Sequence, residues 1–250
     1  MIFSIETSTS NLSLTLLINN QLINKVCIQI KNDLSEIIIP TIKSFIKNNS
    51  ITFQNISLLA VGCGPGSFTG IRAVISAAKG IYLSNKHMKI IGINSLAGLA
   101  MSALIDAKNR NVQYIIASID TKRDDLFLQL FRVNNTNEKL LPFSAINSIQ
   151  PIKLENLNNY IVENKLLAEE FFCVGFISKL LKNKLTNINF SKESTQAPDA
   201  IWVGKLGSYI VKNKLGAENF FCVGFISKLL RNKVTNIKLS KELIQIPDAL

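Results

Sequence analysis

Val61-Gly62-Cys63-Gly64-Pro65-Gly66-Ser67-Phe68-Thr69-Gly70-Ile71-Arg72 is the stretch on which the fold turns. An apolar run, Ile56 to Val61, enters it and reads as a buried strand; a helical pattern rich in small residues, Phe68 to Ser84, leaves it. Between them, three glycines and a proline fall within the five residues Gly62 to Gly66, so the backbone can turn through conformations closed to residues with a Cβ. Thr69 or Ser67 is placed to cap the helix. The unit is strand, glycine-rich turn, helix.

Such a turn can cradle phosphate, because the backbone N–H groups at a helix N-terminus favour anions. The P-loop pattern, however, needs Gly-Lys-Ser/Thr, and here Gly70 is followed by Ile71-Arg72; the spacing is not that of a dinucleotide fingerprint either. The reading preferred is a tight turn that sets two elements close together. Within the helix, Ile71, Val74, Ile75, Ala78, Ile81 and Tyr82 form an apolar face. Gly70, Ala73, Ala77, Gly80 and Ser84 form a second seam of small residues. A glycine inside a helix costs about 1 kcal/mol against alanine, so a close approach by another backbone is expected there. Sequence alone leaves open whether that neighbour belongs to this chain or to another.

Outward from the turn, Ile2–Ile5, Leu12–Leu17 and Leu22–Ile30 read as three sequential strands. Asp33–Lys47 reads as a helix with Ile38, Ile39, Ile42, Phe45 and Ile46 on one stripe, and Pro40 placed early in it. Lys89–Ile93 reads as a strand and Ser95–Ile105 as a helix capped by Asn94 or Ser95. The order βββαβαβα to residue 106 then restarts with strands at Gln113–Ile119 and Leu126–Val133. Phe171–Phe176 is strand-like, and Ile177–Lys184 and Ala200–Lys214 are helical. Two such halves predict an α/β protein of two similar lobes, residues 1–106 and 107–205.

The end of the chain repeats itself. Leu157–Ala200 and Leu206–Ala249 share 32 of 44 positions at an offset of 49, and Phe171–Leu181 recurs unchanged as Phe220–Leu230. The second copy stops without the helix that follows the first. Residues 206–250 are therefore read as a near-duplicate, partly surplus and poorly packed over its last thirty or so positions.

A net charge of +11 is compatible with an RNA partner, but a composition swollen in Ile, Asn and Lys together needs no such partner. The four cysteines, Cys27, Cys63, Cys173 and Cys222, lack metal-site spacing, and His87 stands alone, so no metal site is read. No nucleophile triad can be assembled around His87, and Asp124-Asp125 sits in a basic turn. No apolar run spans a membrane, and the first residues lack a basic leader; a cytoplasmic, soluble chain is expected. Glu6, Ser8 and Thr9, where the first strand ends, resemble a phosphate-binding hairpin of sugar kinases and are the candidates for a nucleotide contact.

Gly62 to Arg72 resembles the signature of the TsaB (YeaZ) family of bacterial tRNA threonylcarbamoyladenosine biosynthesis proteins. Ile5-Glu6-Thr7-Ser8-Thr9, Leu34-Ser35-Glu36 with Pro40, Gly92-Ile93-Asn94-Ser95-Leu96 and Asp120–Phe127 support the likeness. It is firm over residues 1–130, fainter to about 205, and absent beyond. The resemblance implies an actin/Hsp70/sugar-kinase-like (ribonuclease H-like) fold of two lobes, each a mixed sheet with helices. It implies a non-catalytic subunit acting with the catalytic relative TsaD and the ATPase TsaE, and with tRNA through that complex. The complex moves threonylcarbamoyl from threonylcarbamoyl-AMP to N6 of adenosine 37 in tRNAs reading ANN codons. ATP and threonylcarbamoyl-AMP are used by the complex, with no cofactor held firmly by this chain.

The first two helices are the implied dimerisation surface, with TsaD or with a second copy. That gives Leu34, Ser35, Glu36, Pro40, Phe68, Thr69, Gly70, Arg72, Ala73, Ala77 and Gly80 as interface candidates. Gly62, Gly64, Pro65, Gly66 and Ser67 are the signature loop. The seam is thereby read as intermolecular. Leu34 stands where many members carry histidine, Glu6 where aspartate is usual, and Phe127 where tyrosine is common. The paired histidines of the related metallopeptidases are missing, so that activity is set aside. The alternative is an independent nucleotide-binding phosphotransferase or hydrolase of the same superfamily.

Overall fold

The computed structural model describes residues 1–31, 33–134, 141–164, 171–181, 188–190, 196–213 and 215. Two mixed sheets share one plan. In the first, β1 (Ile2–Glu6) is central; β2 (Asn11–Ile18) lies antiparallel to it on one side, and β3 (Gln21–Gln29) is antiparallel to β2 at the edge. On the other side lie β4 (Leu58–Gly62) and β5 (Lys89–Ile93), both parallel, for an order of β3-β2-β1-β4-β5. In the second, β6 (Tyr114–Asp120) takes the central role, between antiparallel β7 (Asp125–Val133) and parallel β10 (Phe171–Gly175). Short β8 (Phe143–Ala145), β9 (Gln150–Lys153) and β11 (Ile188–Phe190) complete it.

The helices divide into three layers. α1 (Leu34–Asn48) and α2 (Phe68–Ser84) cover the outer face of the first sheet, where Phe3, Ile5, Leu14, Val74, Ile75 and Ile81 make one core. α4 (Leu157–Glu163) and α5 (Phe176–Leu181) cover the outer face of the second. α3 (Ser95–Asn109) and α6 (Ala200–Lys212) fill the space between the sheets. Their placement is crossed: α3 packs on β6, β7 and β10 of the second sheet, and α6 on β1, β2 and β4 of the first. Both faces of β1 are thus covered, which is why all five of its residues are buried despite polar Ser4 and Glu6. At the open edge, β3 keeps Leu22 and Ile23 exposed.

The division at residue 106 falls inside α3, which runs to Asn109 and belongs spatially to the second sheet. The division at 205 falls inside α6. Leu206 and Ile210 are fully buried, and a Cβ on Gly207 would sit 3.0 Å from both Ala60 and Ile91. Residues 206–212 are therefore integral to the central core rather than surplus. The remainder of the duplicate, from 216 on, lies outside the described residues. Pro40 is the seventh residue of α1, in the helix interior rather than its first turn, where a missing N–H removes one i→i−4 hydrogen bond; the residue itself is exposed. No described helix is long and apolar enough to cross a membrane.

Candidate functional site

The glycine-rich loop is locked onto the hairpin that ends β1. Ser67 N–H donates to Ser8 O at 2.7 Å, and Thr7 Oγ1 donates to Gly70 O at 2.8 Å. At Gly66 (φ +147°) a Cβ would lie 2.1 Å from Ser8 O, and at Gly70 one would lie 2.2 Å from Thr7 O. Only glycine lets these backbones meet. Ser67 caps α2 by accepting from Gly70 N–H at 3.2 Å. The two elements the turn brings together are thus the hairpin and α2.

Glu6 lies beneath this joint. Its carboxylate accepts from Ser8 N–H at 2.7 Å and from Ser95 Oγ at 2.8 Å, and Ser95 Oγ accepts from Gly64 N–H at 3.2 Å. A Cβ on Gly62 would fall 2.0 Å from Glu6 Oε2. Burial pushes the Glu6 pKa above the ordinary value of 4.5, against the lowering by its hydrogen bonds to Ser8 and Ser95. Of the three residues read as nucleotide contacts, Glu6 and Ser8 are buried beneath the chain's own loop and Thr9 is half-buried. From Asn94, which caps α3, a polar chain crosses to the second lobe: Asn94 Nδ2 donates to Gln129 Oε1 at 2.8 Å, Gln129 Nε2 to Asn147 O at 3.0 Å.

Between α1 and α2 lies an open groove of about 750 Å³. Ser35, Phe68, Thr69, Arg72, Ala73, Ala77 and Gly80 of the expected interface line it, and Ile39, Lys43, Phe53 and Ser76 join them. Phe68 is 66% exposed, with the Arg72 guanidinium 3.7 Å above its ring centroid; at the far end of α2, Leu83 is 71% exposed. A Cβ on Gly80 would meet nothing within 4 Å. Glu36 and Pro40 are exposed on α1 but do not line the groove.

Three expected interface residues are spent mainly inside the chain, Ala77 among them although its edge reaches the groove. Leu34 and Ala77 are each 4% exposed and belong to the core under α1 and α2, and Gly70 is spent on its contact with Thr7. The seam therefore splits: its inner edge packs within the chain and its outer edge, Ala73 and Gly80, is open. Ile39 was readable as part of the α1 stripe, but at 40% exposure it belongs to the groove rather than to the core. Phe53, on a short 3-10 turn, carried no sequence signal of its own. Among the described residues no cluster of His, Cys, Asp or Glu could hold a metal ion, and burial pushes the Cys173 thiol well up.

Two lobes of this plan, with a helix of each crossed between the sheets, define the actin/Hsp70/sugar-kinase class. YeaZ from Pseudomonas aeruginosa matches with a TM-score of 0.64 at 16% identity, over 84% of this chain and 92% of that one. An inorganic polyphosphate/ATP-glucomannokinase from Arthrobacter sp. strain KM matches with a TM-score of 0.51 at 11% identity, over 84% and 98%. These are likenesses of fold. In sequence, the family model described as TsaD, tRNA N6-adenosine threonylcarbamoyltransferase, matches residues 28–240. The tRNA threonylcarbamoyladenosine biosynthesis protein TsaB of Buchnera aphidicola subsp. Schizaphis graminum is 28% identical over 163 residues, 65% of this chain and 72% of that protein. Its Escherichia coli K12 counterpart is 27% identical over 126 residues, so the match spans about half of each chain, 50% and 52%. The chain belongs to this family, on its TsaB (YeaZ) branch.

Proposed function

We propose that this chain is the non-catalytic scaffold subunit of the assembly that makes threonylcarbamoyladenosine in tRNA. It holds the catalytic relative TsaD through the α1–α2 groove while TsaD, with the ATPase TsaE, transfers threonylcarbamoyl from threonylcarbamoyl-AMP to N6 of adenosine 37 in tRNAs reading ANN codons. The observation that carries this reading is the contrast between two places that sequence marked. The hairpin that would meet a nucleotide is closed by the glycine loop, whereas the groove is open, apolar and lined by Phe68, Ala73 and Gly80. A largely apolar recess with small residues at its floor and an exposed aromatic at its mouth suits a partner helix.

The test is co-purification of the full chain with TsaD, wild type against Gly80→Leu. The expected result is a stable pair with wild type and a weakened yield of the pair with the variant. An undiminished TsaD pair with the variant would contradict the groove as the contact. Tight ATP binding and hydrolysis by the isolated chain would instead favour the nucleotide-dependent phosphotransferase or hydrolase.

A further inference from the structure

Charge sorts by end of the molecule. β1, β4 and β5 run toward the glycine loop, whereas α1, α2, α3 and α6 run back from it, so the sheet's loop end and its far end are distinct poles. β6 starts just after α3 ends, which places Tyr114 and its partner Arg132 at the far pole too. Lys47, Lys86, Lys89, Lys108, Arg132 and Lys212 all fall there and all are exposed. Only Asp106 and Glu163 oppose them among the described residues. The loop pole carries Asp33, Glu36, Asp120, Asp124, Asp125 and Glu155, so its cations stand among acids: Lys25, Lys122 and Lys153 form the ion pairs Lys25–Asp199, Lys122–Asp120 and Lys153–Glu155, Arg72 lies over the Phe68 ring, and Lys31 and Arg123 are exposed beside the same carboxylates in sequence.

Composition swollen in lysine would spread positive charge over both poles; it does not move the acids to one of them. Helix dipoles favour this sorting within the first and last turns, yet Lys86, Lys89 and Arg132 lie outside any helix. We propose that the far pole is a docking surface for the phosphate backbone of folded RNA. Lysine is a point charge for phosphate, and the pole offers several of them across both lobes. The phenylalanines on this end of the strands, Phe131, Phe143 and Phe171, are buried, and Tyr82, Tyr114 and Tyr209 are half-buried, so the surface is suited to a duplex backbone rather than to stacked single-strand bases. Binding there is sequence-independent and steeply salt-dependent. Lys86 and Lys89 directly follow α2, so an RNA on this pole would adjoin a partner seated in the groove; the charge pattern itself does not depend on that partner.

The experiment is fluorescence anisotropy of the isolated full chain with a labelled RNA hairpin of arbitrary stem sequence, between 50 and 200 mM salt. With about four phosphates neutralised, affinity is expected to fall roughly 150-fold over that range. The triple variant Lys86→Glu/Lys89→Glu/Lys108→Glu is expected to bind at least ten-fold more weakly at 50 mM and to flatten the salt slope by about three. The pair Lys122→Glu/Arg123→Glu at the loop pole is expected to bind like wild type. Absence of binding at 50 mM, a salt-insensitive affinity, or an equal loss in the loop-pole variant would each overturn the assignment. Because no TsaD is present, its failure would leave co-purification through the groove untouched.

Discussion

Gly80 offers a perturbation whose effects on the monomer and on the complex have opposite signs. It lies in the interior of α2, where glycine is about 1 kcal/mol worse than alanine and leucine nearly as good as alanine. A Cβ at Gly80 meets nothing within 4 Å, so the new side chain enters the open groove without a clash. Gly80→Leu should therefore raise stability by about 0.7 kcal/mol, which for a chain of this size is roughly 2 °C in Tm. The same side chain occupies the space a partner helix would take. Overpacking costs about 1–3 kcal/mol, or roughly 5- to 150-fold in Kd for TsaD. Ala77→Leu should do the reverse to the monomer, since Ala77 is 4% exposed within the core, and lower its stability by about 1–3 kcal/mol. Thermal melts followed by circular dichroism, paired with a TsaD binding isotherm, read both effects. A Gly80→Leu chain that melts several degrees lower, or that binds TsaD with unchanged Kd, would refute the reasoning.

Three further outcomes follow from the buried and half-buried polar groups. Because the folded-state pKa of Glu6 is raised, its contribution to stability is full below about 4.5 and is lost as pH rises through the folded value; Glu6→Gln should flatten that decline in Tm between pH 4 and 8, and an unchanged pH profile would contradict it. Thr15 Oγ1 is buried with no hydrogen-bond partner among the described residues, so Thr15→Val should stabilise by about 1 kcal/mol in urea unfolding, and a clear loss would show the hydroxyl to be paired. Asp199 caps α6 by accepting from Ile201 N–H at 3.0 Å and also accepts from Ser13 Oγ at 3.2 Å, so Asp199→Ala should cost about 1–2 kcal/mol, and a melt identical to wild type would refute its role as clamp.

Much of the fold could be read from local pattern. Phe68–Ser84 and Lys89–Ile93 stand at the expected bounds, because Ser67 and Asn94 mark helix starts and the runs between them have one clear period. β8, β9 and β11 could not be read: they are three or four residues long and are held by pairing with β7 and β10, not by their own sequence. α4 was visible only as part of the repeat, although Leu157, Tyr160 and Ile161 already had the spacing of a buried helical stripe. The crossing of α3 and α6 was hidden for a different reason. Periodicity tells that a helix has an apolar face, not which sheet will cover it.

The site was legible to the same depth. Glycines at 62, 64, 66 and 70 announced a close approach, but only the structure shows the hairpin at Thr7 and Ser8 as the neighbour. The two edges of the small-residue seam differ. At about 100° per residue, Gly70 and Ala77 lie within roughly 20° of each other and Gly80 some 60–80° further round. That turn of the helix separates a core position from an open one, and no count of small residues reveals where it falls.

The central claim is that this chain is required by a catalytic partner while doing no chemistry itself. The most direct measurement is threonylcarbamoyladenosine yield in a reconstitution of TsaD, TsaE, tRNA, ATP and threonylcarbamoyl-AMP, with and without the full chain. Product should form only when the chain is present, and none should form from the chain and substrates without TsaD. Equal product from TsaD in its absence, or turnover by the chain alone, would contradict the account.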